Sequence, residues 1–222
     1  GRLAVTFQHK LQSSRFELKY IIDEGRARAI RDYIKSYLEP DEHASLGECP
    51  SYGVHSLYLD SASFVLCQQT LRGLKNRFKL RMRYYDDDPQ SPVFLEIKRR
   101  LDQVILKERA AITRQAAQRV LDGGLPGPGQ LLKPNDESAC VRFCELRDRI
   151  RAAGSVYVSY QREAYVSPSS NSLRITFDRD IVGRPYERRV GLHPNGHWAR
   201  PPIGGVVLEI KFTNRFPEWM RD

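Results

Sequence analysis

Apolar and polar side chains alternate along much of this 222-residue chain. Period two predicts strands, because successive side chains of a strand point to opposite faces. It runs through "SSRFELKYIID" (13–23), "VHSLYLDS" (54–61), "NRFKLRMRYYD" (76–86), "SPVFLEIKRR" (91–100), "QVILKERAAI" (103–112), "SVYVSYQREAYVS" (155–167), "SLRITFDRDIV" (172–182) and "IGGVVLEIKF" (203–212). "PYERRVGL" is a further strand candidate. The turns "DDDPQS" and "RLDQ" join the runs between 76 and 112 into an antiparallel meander. Helical spacing marks 23–40, 63–74, 113–121 and about 135–152, with Asp23 as N-cap of the first and Pro40 just past its end. "FPEWMRD" opens another helix. About eight antiparallel strands with helices grouped between them predict an α+β fold, in one domain over 1–222. The chain stops at Asp222 inside that last expected helix, so a truncated domain is expected.

The polar half of the alternation is unusual. Lys79, Arg81 and Arg83 share one face, opposite Leu80, Met82 and Tyr84. Glu96 and Lys98 oppose Leu95 and Ile97, and Lys107 lies with Arg109. Tyr160 shares a face with Arg162, Arg174 with Thr176 and Asp178, and Glu209 with Lys211. "LEIK" occurs at 95–98 and again at 208–211, and "FELK" carries the same acid-base pair as Glu17 and Lys19. A sheet half in water would also alternate. However, these faces hold Arg and Lys where Ser, Thr and Gln would serve, and like charges opposite each other repel. The repulsion disappears if the charged face curls inward around anions. A closed barrel does this and leaves no sheet edge.

Such an interior would be lined by Lys19, Arg81, Arg83, Lys98, Lys107, Arg162, Arg174 and Lys211, with Glu17, Glu96 and Glu209 among them. It suits a chain of phosphates: Arg offers a forked donor and Lys a point charge. The carboxylates suit a hard divalent cation that bridges phosphates.

The net charge of +9 favours polyanionic partners, and 41% hydrophobic residues allow a substantial core. Nucleic acid is not expected, since no zinc finger, helix-turn-helix or aromatic-interleaved basic motif appears. The four cysteines, at 49, 67, 140 and 144, form no disulfide framework or zinc spacing, as expected of a reducing cytosol. No apolar run spans a membrane or marks a secretory signal. His55 and His193 are read as ordinary polar residues, and Asp86, Asp87 and Asp88 as a solvated turn beside Pro89.

The ordered stretches "RFELKY", "HSLYLDS", "KLRMRYY", "FLEIKRR", "LKERAAI", "SYQREAY", "LRITFD" and "VVLEIKF" resemble the VTC domain, the polyphosphate-polymerase domain of the vacuolar transporter chaperone family. That family lies within the triphosphate tunnel metalloenzymes, and the resemblance runs over about 15–219. It implies an α+β fold whose closed antiparallel eight-stranded β-barrel forms a tunnel with helices packed outside. It implies transfer of the γ-phosphate of ATP to polyphosphate. Lys19, Arg81, Arg83, Lys98, Lys107, Arg162, Arg174 and Lys211 would contact phosphates, and Tyr160 would hydrogen-bond one. Lys79 stands beside them as a further substrate contact. Glu209, with Glu17, would hold Mn2+ or Mg2+. The expected partners are ATP and polyphosphate or another triphosphate, and the expected place is cytoplasmic, at the cytosolic face of a membrane if the parent protein is membrane-associated.

Two departures bear on activity. The wider superfamily opens with E-x-E-x-K, and here Arg15 replaces the first Glu. The chain also stops before a C-terminal helix and a Ser-Lys-Tyr segment that the resemblance would supply. The competing activities are a triphosphatase and a polyphosphate-binding module without turnover.

Overall fold

The computed structural model describes residues 15–44, 51–102, 104–168, 172–192, 196–213 and 217–220. The chain order is β1 (Arg15–Ile22), α1 (Glu24–Ile34), β2 (Glu39–Pro40), β3 (Ser51–Asp60), α2 (Val65–Leu71), β4 (Asn76–Tyr84), β5 (Val93–Leu101), β6 (Val104–Ile112) and α3 (Arg114–Leu121). It continues with α4 (Glu137–Arg149), β7 (Ala153–Val166), β8 (Leu173–Pro185) and β9 (Val206–Thr213). Short 3-10 turns at Pro134–Asp136 and Glu218–Met220 complete it, the latter where a helix start was expected.

The strands form one antiparallel sheet in the order β1-β9-β8-β7-β3-β4-β5-β6, with β2 beside β7. The alternation explains how it packs. Leu80, Met82, Leu95 and Ile97 meet Ala116, Val120, Phe143 and Cys144 of α3 and α4 in one core. Ile175, Phe177, Leu208 and Ile210 meet Ala27 and Ile34 of α1 in a second. All four helices therefore lie on the apolar face, and the charged face is turned away from them.

The expected closed barrel is not what forms. Among the described residues β1 pairs only with β9, and β6 only with β5. The sheet is open, with β1 and β6 as its edges. Closure would need a backbone ladder between two strands that are rich in charge, and charged edges resist pairing. The sheet nevertheless curls strongly. β1 and β5 are six strand spacings apart, which in a flat sheet would be about 29 Å. Yet Lys98 Nζ of β5 lies 2.9 Å from a Glu17 carboxylate oxygen of β1. The result is an open, tunnel-like trough with its charged face inside.

Several local expectations shift. Asp23 does cap α1, accepting from the Arg26 amide at 2.8 Å. The helix ends at Ile34, not near 40: residues 35–37 form a turn, and Glu39–Pro40 pair with β7 as β2. "PYERRVGL" is turn beyond Pro185, and Tyr186 packs there against Tyr157. Cys140 and Cys144 are buried and unbridged, and Cys67 is a free thiol. Cys49 and His193 lie outside the described residues. No helix among the described residues is long and apolar enough to cross a membrane.

Candidate functional site

The strand register brings the expected site residues onto the concave face. Lys79, Arg81 and Arg83 come from β4, Lys98 from β5, Lys107 from β6, and Tyr160 and Arg162 from β7. Arg174 comes from β8, Glu209 and Lys211 from β9, and Glu17 and Lys19 from β1. The cross-strand partners make two arms of different character.

In the β4–β6 arm, Lys79, Lys98 and Lys107 stand in one in-register row. Like charges directly opposite are unfavourable in a sheet, and no carboxylate belongs to this row. The adjacent row is Arg81, Glu96 and Arg109. Glu96 is 1% exposed and serves as the hub of the arm. Arg81 Nε donates to it in a short contact. Lys107 lies 3.1 Å, Arg109 3.4 Å and Arg83 3.9 Å from its oxygens. Burial pushes the Glu96 carboxyl up, but Arg81, Arg83, Lys107 and Arg109 together hold it at about 2. Lys107 is pushed down to about 8 by burial, against the pull of Glu96. Burial likewise lowers Lys79, reinforced by Lys98 and Lys19.

In the other arm the first and last expected acid-base pairs meet directly. β1 and β9 place Glu17 opposite Lys211 and Lys19 opposite Glu209. Lys19 lies 3.2 Å from Glu209 and 3.2 Å from Glu17, and Lys211 2.9 Å from Glu209. Lys19 thus bridges the Glu17 and Glu209 carboxylates. Burial pushes Glu209 up, yet Glu17, Lys211 and Lys19 hold it far below the usual carboxylate range. Lys98 crosses from the opposite arm to Glu17 and so joins the network of the other two acid-base pairs, while Glu96 keeps to its own four cations. "FELK" and the second "LEIK" lie on neighbouring strands, and the first "LEIK" faces them across the trough.

Arg162 is held by Asp178 through two hydrogen bonds, 2.7 and 2.8 Å. Arg83 Nη2 donates to the Tyr160 hydroxyl at 3.2 Å, which links β4 to β7 across β3. Arg174 donates to Asp41 at 2.6 Å and to the Tyr52 hydroxyl at 3.3 Å.

Sequence reasoning passed over several of these residues as site members. Arg109 had a signal, since it shares parity with Lys107. Asp41 had none: it follows a two-residue strand and contacts Arg174 only through folding. Tyr52, Tyr85 and Phe94 form an aromatic end to the trough, with the Arg109 guanidinium 3.6 Å from the Phe94 ring centre. Asp86 and Asp88 cap their own turn, as expected of a solvated loop. His55 hydrogen-bonds Ser159 at 2.8 Å.

Buried polar atoms complete the face. Ser56 Oγ, Thr176 Oγ1 and Arg83 Nε have no hydrogen-bond partner among the described residues. Buried polar groups are normally satisfied, so these side chains suit an added ligand rich in oxygen. Among the described residues, no cluster of three or more His, Cys, Asp or Glu forms a metal cage.

The family model described as VTC domain matches residues 14–222. Among solved structures, the PH1819 protein of Pyrococcus horikoshii OT3 is 14% identical over 91% of this chain and 79% of that one, with a TM-score of 0.44. A Vibrio parahaemolyticus protein suggested to be an adenylate cyclase is 14% identical over 91% of this chain and 77% of that one, with a TM-score of 0.45. No curated protein matches the chain significantly.

Proposed function

This chain belongs to the VTC domain family, and on that footing we propose that it is a polyphosphate polymerase-like phosphotransferase acting on ATP and a polyphosphate chain. The observation that carries this reading is the in-register row of Lys79, Lys98 and Lys107, in which Lys98 and Lys107 reach Glu17 and Glu96 of other rows while Lys79 has no ion-pair partner among the described residues. A bound row of phosphates removes that repulsion and takes donors from Arg81, Arg83, Arg162, Arg174 and Lys211.

The chemistry needs no protein nucleophile. An oxygen of the terminal phosphate of the chain attacks the γ-phosphorus of ATP, the bond from that phosphorus to the bridging oxygen breaks, and ADP leaves. The side chains hold donor and acceptor in line and offset charge on the transferring group. Arg162, locked by Asp178, and Arg83, anchored on Tyr160, are fixed before substrate arrives, so little reorganisation accompanies the reaction.

Glu17 and Glu209 fit a shared Mg2+ or Mn2+ ion. Such ions take one or two carboxylates and draw their other oxygen ligands from phosphate and water. When bound, the ion would supply Lewis-acid stabilisation to phosphoryl oxygens. Lys19 and Lys211, which claim the two Glu209 oxygens, would be released for phosphate if Glu209 held such an ion. ATP as donor fits a cytoplasmic location.

The test is incubation with ATP and Mn2+, with ADP, free phosphate and polyphosphate measured separately. Polyphosphate appearing with ADP supports the proposal. Free phosphate alone makes the protein a triphosphatase, and tight binding without turnover makes it a binding module.

A further inference from the structure

The cationic row does not end at Lys79 and Lys98. Two residues further along, where β4 begins and β5 ends, Arg77 and Arg100 stand opposite each other in register. They share the parity of Lys79 and Lys98, so they continue the concave face to its outer end. A cavity of about 380 Å³ lies there, lined by Gly73, Lys75, Arg77, Arg100 and Asp102.

Its walls are fixed by the backbone. Arg77 Nη1 donates to the Leu74 carbonyl, and Arg100 Nε to the Asp102 carbonyl at 2.9 Å. Each guanidinium is thus anchored on a neutral acceptor, keeping its full charge and further donors for a ligand. Asp102 is the single acid of the lining and lies 3.8 Å from Lys75. Three cations against one acid leave an excess of positive charge. Asp102 adopts a left-handed backbone, with φ of 53°, that its type tolerates. Its amide bonds the Lys75 carbonyl at 3.1 Å and Asn76 Oδ1 at 3.2 Å, which pins the turn against the start of β4.

We propose that this cavity is a subsite for a phosphate chain, outside the trough, where the polymer continues past the phosphates held by Lys79, Lys98 and Lys107. The step from one row to the next is about 7 Å along the strands, so one continuous polyanion spans both. The subsite makes the protein prefer long chains and marks the β4–β5 end as the chain's way out. This rests on the phosphate reading of the trough.

The test is calorimetric titration of the full chain with two probes, tripolyphosphate and long-chain polyphosphate. The proteins are the wild type, an Arg77→Gln/Arg100→Gln variant, and a charge-matched Arg119→Gln/Arg149→Gln control on the exposed faces of α3 and α4. Loss of two charge-assisted contacts should weaken long-chain binding of the cavity variant by about tenfold while tripolyphosphate stays within about twofold. The control should move neither. Equal losses for both probes, no loss for either, or an equal effect in the control would overturn the subsite alone. A wild type that binds no tripolyphosphate would overturn the phosphate reading itself. Both Arg side chains lie at the protein surface, and matching thermal midpoints will confirm that the variant is folded.

Discussion

Replacing Glu96 by Gln removes one negative charge from the centre of four positive ones without changing the side chain's size. The carboxyl is 1% exposed, and its pKa falls from the usual 4.5 to about 2 in the fold. At 1.36 kcal/mol per tenfold, that depression corresponds to roughly 3 kcal/mol of stability near neutral pH. Removing one member of a buried ionic cluster typically costs about 3–5 kcal/mol, which agrees. The sign follows from a depressed folded pKa: the contribution is complete above about 4.5 and disappears as pH falls through about 2. The measurement is urea unfolding of wild type and Glu96→Gln, since urea does not screen charge as guanidinium salts do. The variant should be about 3 kcal/mol less stable at neutral pH, and the gap should close toward pH ~2. Saturating tripolyphosphate should narrow it at neutral pH, because the anion supplies the counter-charge that Glu96 gave. A gap under about 1 kcal/mol, or one indifferent to both pH and tripolyphosphate, would refute the hub argument.

Three further outcomes are expected. Lys107, lowered by burial to about 8, loses its charge as pH rises through that value, so tripolyphosphate affinity should fall between about pH 7 and 9 and stay flat in Lys107→Arg. Titrations at fixed ionic strength decide it, and parallel pH profiles would sink it. Glu209→Gln should lose about a hundredfold in Mn2+-dependent turnover while still binding tripolyphosphate, and full turnover would remove Glu209 from the metal. Arg147 donates to the carbonyls of Val120 and Gly124 at 2.7 Å each and of Gly123 at 3.0 Å, capping the end of α3. Arg147→Ala should therefore cost about 3 kcal/mol in urea unfolding and leave tripolyphosphate affinity unchanged.

The face assignment was legible because period two is a geometric necessity of strands. Once Leu80 and Ile97 were placed inward, Arg81 and Glu96 had to point the other way. Parity also carried Glu17 and Lys211 to the same face, although their direct pairing depends on strand order, which alternation does not encode. Asp41 was invisible because its contact with Arg174 spans 133 positions and lies in a turn without period. The barrel was overread for a related reason. Alternation reports which face is buried, not whether the two outermost strands find each other, and here the charges of β6 pair with Glu96 of its neighbour β5 while Glu17 of β1 is met across the trough by Lys98 of β5.

The open edge between β1 and β6 sets how a polymer gets in. A ring of backbone hydrogen bonds admits a long chain only by threading from one end. Here the two halves of the molecule are tied by a side-chain bridge, Lys98 to Glu17, and phosphate is a direct competitor for Lys98. An arriving chain can therefore undo the tie that faces it, and lie down in the trough sideways like a rope dropped into a cleat. Access then follows the opening of that bridge, which ionic strength favours, rather than the threading of a polymer end.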